Sequence, residues 1–278
     1  MPEAPAPDTD RELLVELRGG VLTLTINRPD ASNAIPYTVR DALIEQFRRA
    51  HTDLAVRCVV LTAAGERHFC TGADLRVRPP APERPEGAPD FVVGQAVEMM
   101  RAGFQTLMTS IQDCQKPVIA GLNGTAAGGG AMLALACDLV VAADTARFVD
   151  VFASKALLPD GGFAYLLPHI VGMHRAKEIV LLGDTLSAEQ AREFGIVNRV
   201  VPAADLASEV EALATRLAAK PTKVLGWAKH LLHSAVDNPR AVVLEQEGVY
   251  VELNLGTADG QERTAAMLEQ RDPDFRGW

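Results

Sequence analysis

The chain is poor in the residues that mark several common chemistries. It has four cysteines in 278 residues, Cys58, Cys70, Cys114 and Cys137, far apart and with no CxxC pair. Each sits among apolar residues, so buried free thiols in a reducing, cytoplasmic setting are expected rather than a disulfide framework. Basic side chains are outnumbered, 27 against 36 acidic ones, for a formal charge of −9. Such a surface argues against nucleic acid and anionic membrane as main partners, while leaving room for an anionic ligand held by a local arginine cluster. The six histidines (His51, His68, His169, His174, His230, His233) form no HExxH and no paired Cys/His spacing, so no metal is expected. Gly-x-Ser-x-Gly is missing as well. Met1–Asp10 is rich in proline and acid and has no apolar core, so no secretory signal is expected. One charge-free run, Val118–Cys137, is long enough to suggest a membrane span. It holds Asn123, Thr125 and five glycines, and a buried strand, a loop and a core helix explain it better.

What remains is an ordinary globular composition, 48% hydrophobic and 23% charged, with enough chain for one large domain and a sizeable core. Residues 1–10 read as a disordered tail. Leu13–Leu17 and Val21–Ile26 read as strands joined at Gly19-Gly20, a hairpin signature. Val39, Leu43, Ile44 and Phe47 share one face of a helix predicted over Thr38–Ala50. Arg57–Thr62 is a continuous apolar strand, buried on both faces. Five prolines between Arg76 and Pro89 exclude regular structure there. A loop of that length inside a domain is functional or disordered. Val92–Ile111 reads as one helix. Strands follow at Pro117–Leu122 and Leu139–Ala143, with a helix ending at Cys137 between them. Ser187 with Gln190 predicts a capping box that opens a helix to Phe194, ended by Gly195, and Val197–Val201 is a further strand. Beyond Ala204 the pattern is helical: Leu206–Ala219, Lys223–Ser234 and Pro239–Leu255. The expected organisation is thus a tail (1–10), a strand–helix core (11–203) and a helical C-terminal region (204–278).

The chemistry concentrates in Asn123-Gly124-Thr125-Ala126-Ala127-Gly128-Gly129-Gly130. Glycines at that density just before a helix let the backbone approach a ligand, and the first turn of the helix offers unpaired N–H groups and partial positive charge. The site suits a negative oxygen: a phosphate, or an oxyanion that exists only during reaction. Gly124-xxx-Gly128-x-Gly130 after a strand has the form of a dinucleotide-binding turn. It lies far from the N-terminus, however, and Tyr37, Tyr165 and Tyr250 are followed four residues on by Asp41, His169 and Asn254, never by the lysine of a Tyr-xxx-Lys pair. Phe69-Cys70-Thr71-Gly72-Ala73-Asp74-Leu75, after the Arg57–Thr62 strand, is a second loop of small residues. Two such loops at strand ends can converge on one oxygen and stabilise charge that develops in a transition state.

Those two loops together resemble the crotonase (enoyl-CoA hydratase/isomerase) superfamily. Asn27-Arg28-Pro29 with Asn33-Ala34, Lys116-Pro117-Val118, Cys137-Asp138, Leu158-Pro159-Asp160-Gly161-Gly162, Gly183-Asp184-x-x-Ser187-Ala188, Gly195-Ile196-Val197 and Arg271-Asp272-Pro273-Asp274-Phe275 extend the likeness in order over nearly the whole chain. The resemblance implies an α/β fold, a spiral of ββα units with a C-terminal helical trimerisation region, assembling as a homotrimer or a hexamer of paired trimers. It implies an acyl-CoA thioester as ligand and no separate cofactor, coenzyme A being part of the substrate. The N–H groups of Ala73 and Gly129 would hold the thioester oxygen as it becomes an enolate. Thr71, Gly72, Asp74 and Leu75 would line the adenine pocket, with Gly128 beside the donor and Arg28, Asn33 and Ala34 near the CoA. The proline-rich stretch would be a lid or rim, with Arg76 and Arg78 near CoA phosphates, or a solvated loop.

The match breaks at the acids. Hydratases of the family carry two water-activating glutamates, whose positions here hold Met132 and Phe152, an apolar pair expected to face the acyl group. Asp160, after Pro159, stands where dienoyl-CoA isomerases of the family have a proton-moving acid. A carboxylate near Met132 and Phe152 would be poorly solvated and its pKa raised, which suits both taking and giving a proton. A turn role for Asp160 before Gly161-Gly162 is the alternative. Asp150 is a second candidate, on the face of Phe152 if the segment is a strand, with a surface or capping role as its alternative. Asp138 reads as a structural acid at a helix end, and Ser154 and Tyr165 as polar neighbours of the site. The expected activity is an enoyl-CoA (double-bond) isomerase. The alternatives are an enoyl-CoA hydratase of fatty-acid or related acyl-CoA breakdown and, of another class, a non-catalytic acyl-CoA-binding subunit.

Overall fold

The computed structural model describes residues 9–77, 79, 84–89 and 92–278. The first eight residues of the expected tail therefore lie outside it, as do Arg78, Pro80 and Pro82 of the proline-rich stretch. Thr9 and Asp10, placed in the tail by the sequence reading, instead open a short helix, α1 (Thr9–Glu12). The chain continues through β1 (Leu13–Arg18), β2 (Val21–Ile26), α2 (Tyr37–Thr52), β3 (Cys58–Ala63), β4 (His68–Cys70), α3 (Gln95–Met100), α4 (Thr106–Gln112), β5 (Val118–Leu122), β6 (Thr125–Ala127), α5 (Gly129–Ala136), β7 (Leu139–Ala143) and β8 (Arg147–Val149). It ends with α6 (Phe163–Val171), α7 (Met173–Leu182), β9 (Thr185–Ser187), α8 (Ala188–Glu193), β10 (Arg199–Val201), α9 (Leu206–Ala218), α10 (Thr222–Asp237), α11 (Arg240–Leu255) and α12 (Ala258–Glu269).

The strands form two sheets. One runs β1-β2-β3-β5-β7-β10, antiparallel at the β1–β2 hairpin and parallel thereafter; the other runs β4-β6-β8-β9. Three successive units each send a strand into the first sheet and the next strand into the second: β3 then β4, β5 then β6, β7 then β8. This is the ββα spiral that the two loops implied. The parallel strands β3, β5 and β7 are covered on both faces, as their unbroken apolar runs require. The units stack tightly at their corners. A β-carbon on Gly124 would overlap the Arg67 carbonyl, and the Asn33 and Asn123 amides, from two different corners, both donate to the His68 carbonyl (2.6 and 3.4 Å).

Several expectations need correction. Val92–Ile111 is not one helix: α3 and α4 are separated by a π-helical turn, Arg101–Gln105, in which Gly103 leaves the helical region (φ −95°, ψ −112°). The second sheet was not foreseen, because its strands are three residues long and carry no readable period. The glycine stretch, read as loop, contains one of them, β6. Val197–Val201 shrinks to Arg199–Val201, and α12 was not anticipated. The capping box stands as read: Ser187 Oγ accepts from Gln190 N (3.2 Å) and Gln190 Oε1 from Ser187 N (2.9 Å). All four cysteines are buried free thiols. Among the described residues no helix is long and apolar enough to cross a membrane.

Asp138, expected to be structural, joins the C-terminal helices to the sheet. Its carboxylate accepts from Val118 N (2.7 Å) and pairs with Lys229 Nζ of α10 (2.9 Å), which also donates to the Ile111 carbonyl (2.9 Å). Burial pushes the Asp138 pKa up while Lys229 pulls it back. Removing one partner strands the other charge in a dry site, which costs about 3–5 kcal/mol. Lys229→Met is therefore expected to lower the urea midpoint strongly, and a midpoint within error of wild type would show that the pair does not hold α10 in place.

Candidate active site

Gly72 and Gly129 touch through their backbones. Gly72 has φ +97°, a left-handed conformation, and a β-carbon there would lie 3.1 Å from Gly129 N and 3.4 Å from the Ala127 carbonyl oxygen. The N–H groups around this contact divide cleanly. Gly72 N points at Cys70 Sγ (3.4 Å), Asp74 N donates to the Ile35 carbonyl (2.9 Å) and Gly128 N to the Val149 carbonyl (3.2 Å). Ala73 N, on the peptide that follows Gly72, and Gly129 N, in the first turn of α5, have no acceptor among the described residues. Ala73 is exposed and Gly129 half-buried, while Gly72, Asp74, Gly128 and Gly130 are buried. Two unpaired donors thus open side by side where a ligand can reach them. The helix behind Gly129 is buried on every face, from Gly130 to Ala136, and a β-carbon on Gly130 would overlap the Cys70 carbonyl. That close approach keeps the second loop pressed against the first.

The side chains expected near coenzyme A are occupied by the protein itself. Asn33 Oδ1 accepts from Arg28 N (2.9 Å), and its amide donates to the Ala64 (2.9 Å) and His68 (2.6 Å) carbonyls. Arg28 pairs with Glu12 (2.9 Å) and Asp74 (2.9 Å) and donates to the Ala34 carbonyl. Asp74 also holds Arg76 (2.8 Å), and Thr71 Oγ1 donates to the Ser32 carbonyl (3.1 Å). With Arg76 and Arg28 against it, the Asp74 carboxyl is held down at about 2. These groups shape the donor loop from within. What the loop shows to solvent is backbone, the Ala73 methyl, the Leu75 side chain (78% exposed) and the Arg76 guanidinium.

On the other side of Gly129 the structure brings together residues from three segments. Met132 is fully buried, and its Cε lies 3.8 Å from where a β-carbon on Gly161 would be. Phe152 is also buried, its ring edge-on to Phe163 (5.1 Å between centroids), which puts it in the core beneath α6. Pro159 leads into a tight turn in which Gly161 (φ +60°) and Gly162 (φ +98°) both adopt left-handed conformations and Phe163 N donates to the Asp160 carbonyl (2.9 Å). That turn demands glycine at both positions and favours Asp before them, so the turn role of Asp160 is real. Its carboxylate has no side-chain hydrogen bond or ion pair with another described residue, and although the residue is exposed, the protein around the carboxyl displaces water and raises its pKa. Asp150 is buried rather than on the surface, and β8 ends before it. One oxygen accepts from Phe152 N (2.8 Å) and the other has no partner, and burial raises its pKa. Ser154 donates to the Val151 carbonyl and Tyr165 to Asp237, so both hydroxyls are used elsewhere.

Sequence reading missed Phe104. It lies in the π-helical turn. Its Cε1 would be 2.9 Å from a β-carbon on Gly129, and its Cβ 3.2 Å from one on Gly161. A π-turn is a common mark of a functional segment, but nothing in the apolar spacing of 92–111 signals one. Among the described residues no group of His, Cys, Asp and Glu could hold a metal.

The spiral of paired sheets thus holds two backbone donors without acceptors at one contact, with Met132, Phe104 and the Asp160 turn packed beside Gly129. The chain belongs to the enoyl-CoA hydratase/isomerase family, which it matches over residues 16–277. It is 40% identical over 265 residues to the 1,2-epoxyphenylacetyl-CoA isomerase of Escherichia coli K12, covering 95% of this chain and 98% of that protein. It is 33% identical over 271 residues to the carnitinyl-CoA dehydratase of Proteus mirabilis, covering 96% and 99%. Its fold superimposes with a TM-score of 0.86 on the crystal structure of the enoyl-CoA hydratase of Bacillus anthracis, at 29% identity, covering 96% and 100%.

The Asp74 network gives a test of how the donor loop is held. Its folded pKa, about 2, lies below the ordinary value near 4, so the stability it adds is complete above pH 4 and is lost as pH falls through 2. Asp74→Asn is expected to lose about 2 kcal/mol at pH 7, with a gap from wild type that narrows toward pH 2. Thermal melts of both proteins from pH 7 to pH 2 measure it, and a gap that does not change with pH would remove the ion pairs as its source.

Proposed function

We propose that the protein is an acyl-CoA isomerase that moves a double bond through a thioester enolate. The observation that carries it is the pairing of two unsatisfied N–H groups, Ala73 and Gly129, with a lone free carboxylate, Asp160, across an apolar wall that includes Met132. Bound with its carbonyl oxygen on the two donors, a 3-enoyl thioester has its C2 proton acidified, because the charge left on removal spreads onto that oxygen. The Asp160 carboxylate takes the proton from C2 and returns it to C4, so the C3=C4 bond becomes C2=C3. One raised-pKa carboxyl serves both steps, since it is a stronger base than a surface Asp and still gives the proton back. The coenzyme A portion would run past Thr71, Gly72 and Leu75, with Ala34 close by and Arg76 exposed for a phosphate. The side chains of Arg28, Asn33 and Asp74 contribute by holding that loop rather than by contact.

Support comes also from the E. coli relative, whose name makes it an isomerase of a CoA thioester. Hydration is the competing enzymatic reading, supported by the dehydratase and hydratase names among the relatives. It needs an oriented water, and the two positions that hold its glutamates in the family are Met132 and Phe152, both buried and without polar atoms. A binding subunit without catalysis would keep the donors and need no acid. The homotrimer or paired trimers of the family resemblance would find exposed apolar side chains on α11 and α12, among them Val251, Leu253, Leu255, Met267 and Leu268.

Turnover of 3-enoyl-CoA to 2-enoyl-CoA, followed at the absorbance of the conjugated thioester, separates the readings. Asp160→Asn is expected to lower kcat about 10²–10⁴-fold while acyl-CoA binding persists. The wild-type rate is expected to fall on the acid side above the ordinary carboxylate range, because the base must be ionised and burial raises its pKa. Unchanged isomerisation in Asp160→Asn would remove the acid's role. Tight binding with no turnover would favour the binding subunit, and 3-hydroxyacyl-CoA as the product would favour the hydratase.

A further inference from the structure

Phe104 occupies the gap between the two halves of the site. Its Cβ rests over Gly161, next to Asp160, and its ring edge over Gly129, whose N–H is free. One side chain therefore bridges Gly161, the residue after the proposed acid, and Gly129, the proposed oxygen donor. Four residues on, Met108 lies against Gly162, with Cε 2.5 Å from where a β-carbon would be. Phe104 and Met108 share one face of their segment and press on the consecutive glycines of the Asp160 turn.

The position of the ring is built, not incidental. Gly103 leaves helical geometry and packs against Arg40 of α2, whose guanidinium nitrogen would be 2.9 Å from a β-carbon at 103. The i→i+5 bond of the π-turn closes on the Arg101 carbonyl, which accepts from both Thr106 N and Thr106 Oγ1 (2.6 Å). One extra residue in a turn changes the phase of a helix by about 100° relative to an uninterrupted one. The π-turn is thus what delivers Phe104 to Gly129 while leaving Leu107, Met108 and Ile111 of α4 in the core.

We propose that Phe104 determines which acyl groups the site accepts, by taking the space beside the carbons next to the thioester carbonyl. The inference rests on the acyl-CoA reading above and deepens it. Any acyl group whose oxygen sits on the Ala73 and Gly129 donors has C2 and C3 within a few bond lengths of Gly129. Asp160 must reach the same carbons. Those atoms are therefore confined to the gap that the ring borders. An unbranched or flat unsaturated chain can lie along an aromatic face, but a branch at C2 must displace the ring.

The test uses two unreactive saturated esters, hexanoyl-CoA and 2-methylhexanoyl-CoA, with free coenzyme A as reference. Calorimetric titration of the intact protein gives the ratio of branched to unbranched Kd. One methyl group in a fitted pocket is worth roughly 10- to 200-fold. Phe104→Ala is expected to lower the ratio about tenfold or more and leave the Kd of coenzyme A unchanged. Gly103→Ala, which keeps the ring but displaces its turn, is expected to lower the ratio as well, and Phe104→Leu to fall between wild type and Phe104→Ala. Circular dichroism melts confirm that each variant is folded; if Phe104→Ala is not, Phe104→Leu and Gly103→Ala decide. A ratio unchanged in the folded variants, with wild type binding both esters, overturns the role of Phe104 alone. A wild-type protein that binds neither ester overturns the acyl-CoA reading and this inference with it.

Discussion

The contact between Gly72 and Gly129 is the constraint on which the rest of the molecule depends. No side chain fits between the two backbones, and that closeness sets two N–H groups side by side. Backbone donors gain this arrangement only when two loops are fixed to within a fraction of an ångström, because a peptide plane has no rotamer with which to adjust. The stacked corners supply the fixing. Gly124 lets one corner rest on Arg67, Gly130 lets α5 rest on Cys70, and Asn33 and Asn123 draw the corners onto the His68 carbonyl. The spiral is in this sense a device for repeating one corner with a small offset, so that loops distant in sequence end at one point.

The polar side chains of the first loop follow from the same demand. An arginine and an asparagine beside a proposed CoA-binding loop invite the reading that they touch the ligand. Here Arg28, Asn33 and Asp74 are buried or nearly so and bonded to one another and to the carbonyls of their own corner. Had they been free to meet a ligand, the loop that carries Ala73 would have lacked its ties. Asp160 is the opposite case. Its carboxylate has no side-chain partner among the described residues, and the protein around it raises its pKa, as the proposed acid/base role requires.

How much of this was legible in the sequence depended on whether a feature is local. The capping box at Ser187 and Gln190 and the unbroken apolar run of β3 are written in neighbouring residues and are found where they were read, while the glycine stretch, read as loop, carries the short strand β6. The family likeness carried the fold further than periodicity could, because β4, β6, β8 and β9 are too short to show a period of two. Phe104 was invisible for a different reason. Val92–Ile111 read as one helix, and the break at Gly103 comes with its packing against Arg40 of α2, a tertiary contact that no local pattern announces. Phe152 was read as half of an apolar pair with Met132 facing the acyl group, and its buried ring packs edge-on against Phe163 beneath α6.

The same geometry bears on why a member of this family would do without glutamates. A water poised to attack must be held by at least two polar groups, or it diffuses within the pocket. Met132 is fully buried and offers none, Phe152 is packed against Phe163 in the core, and the Phe104 ring edge lies against Gly129 and brings no polar atom there. Excluding water strengthens each remaining electrostatic interaction, both the donors' hold on a developing enolate and the basicity of Asp160. Under the proposed function, a site with fewer acids is a more selective proton shuttle rather than a weaker hydratase. On that proposal Met132, Phe152 and the π-turn that carries Phe104 act in one direction, toward chemistry that moves a proton along a chain and keeps solvent out of it.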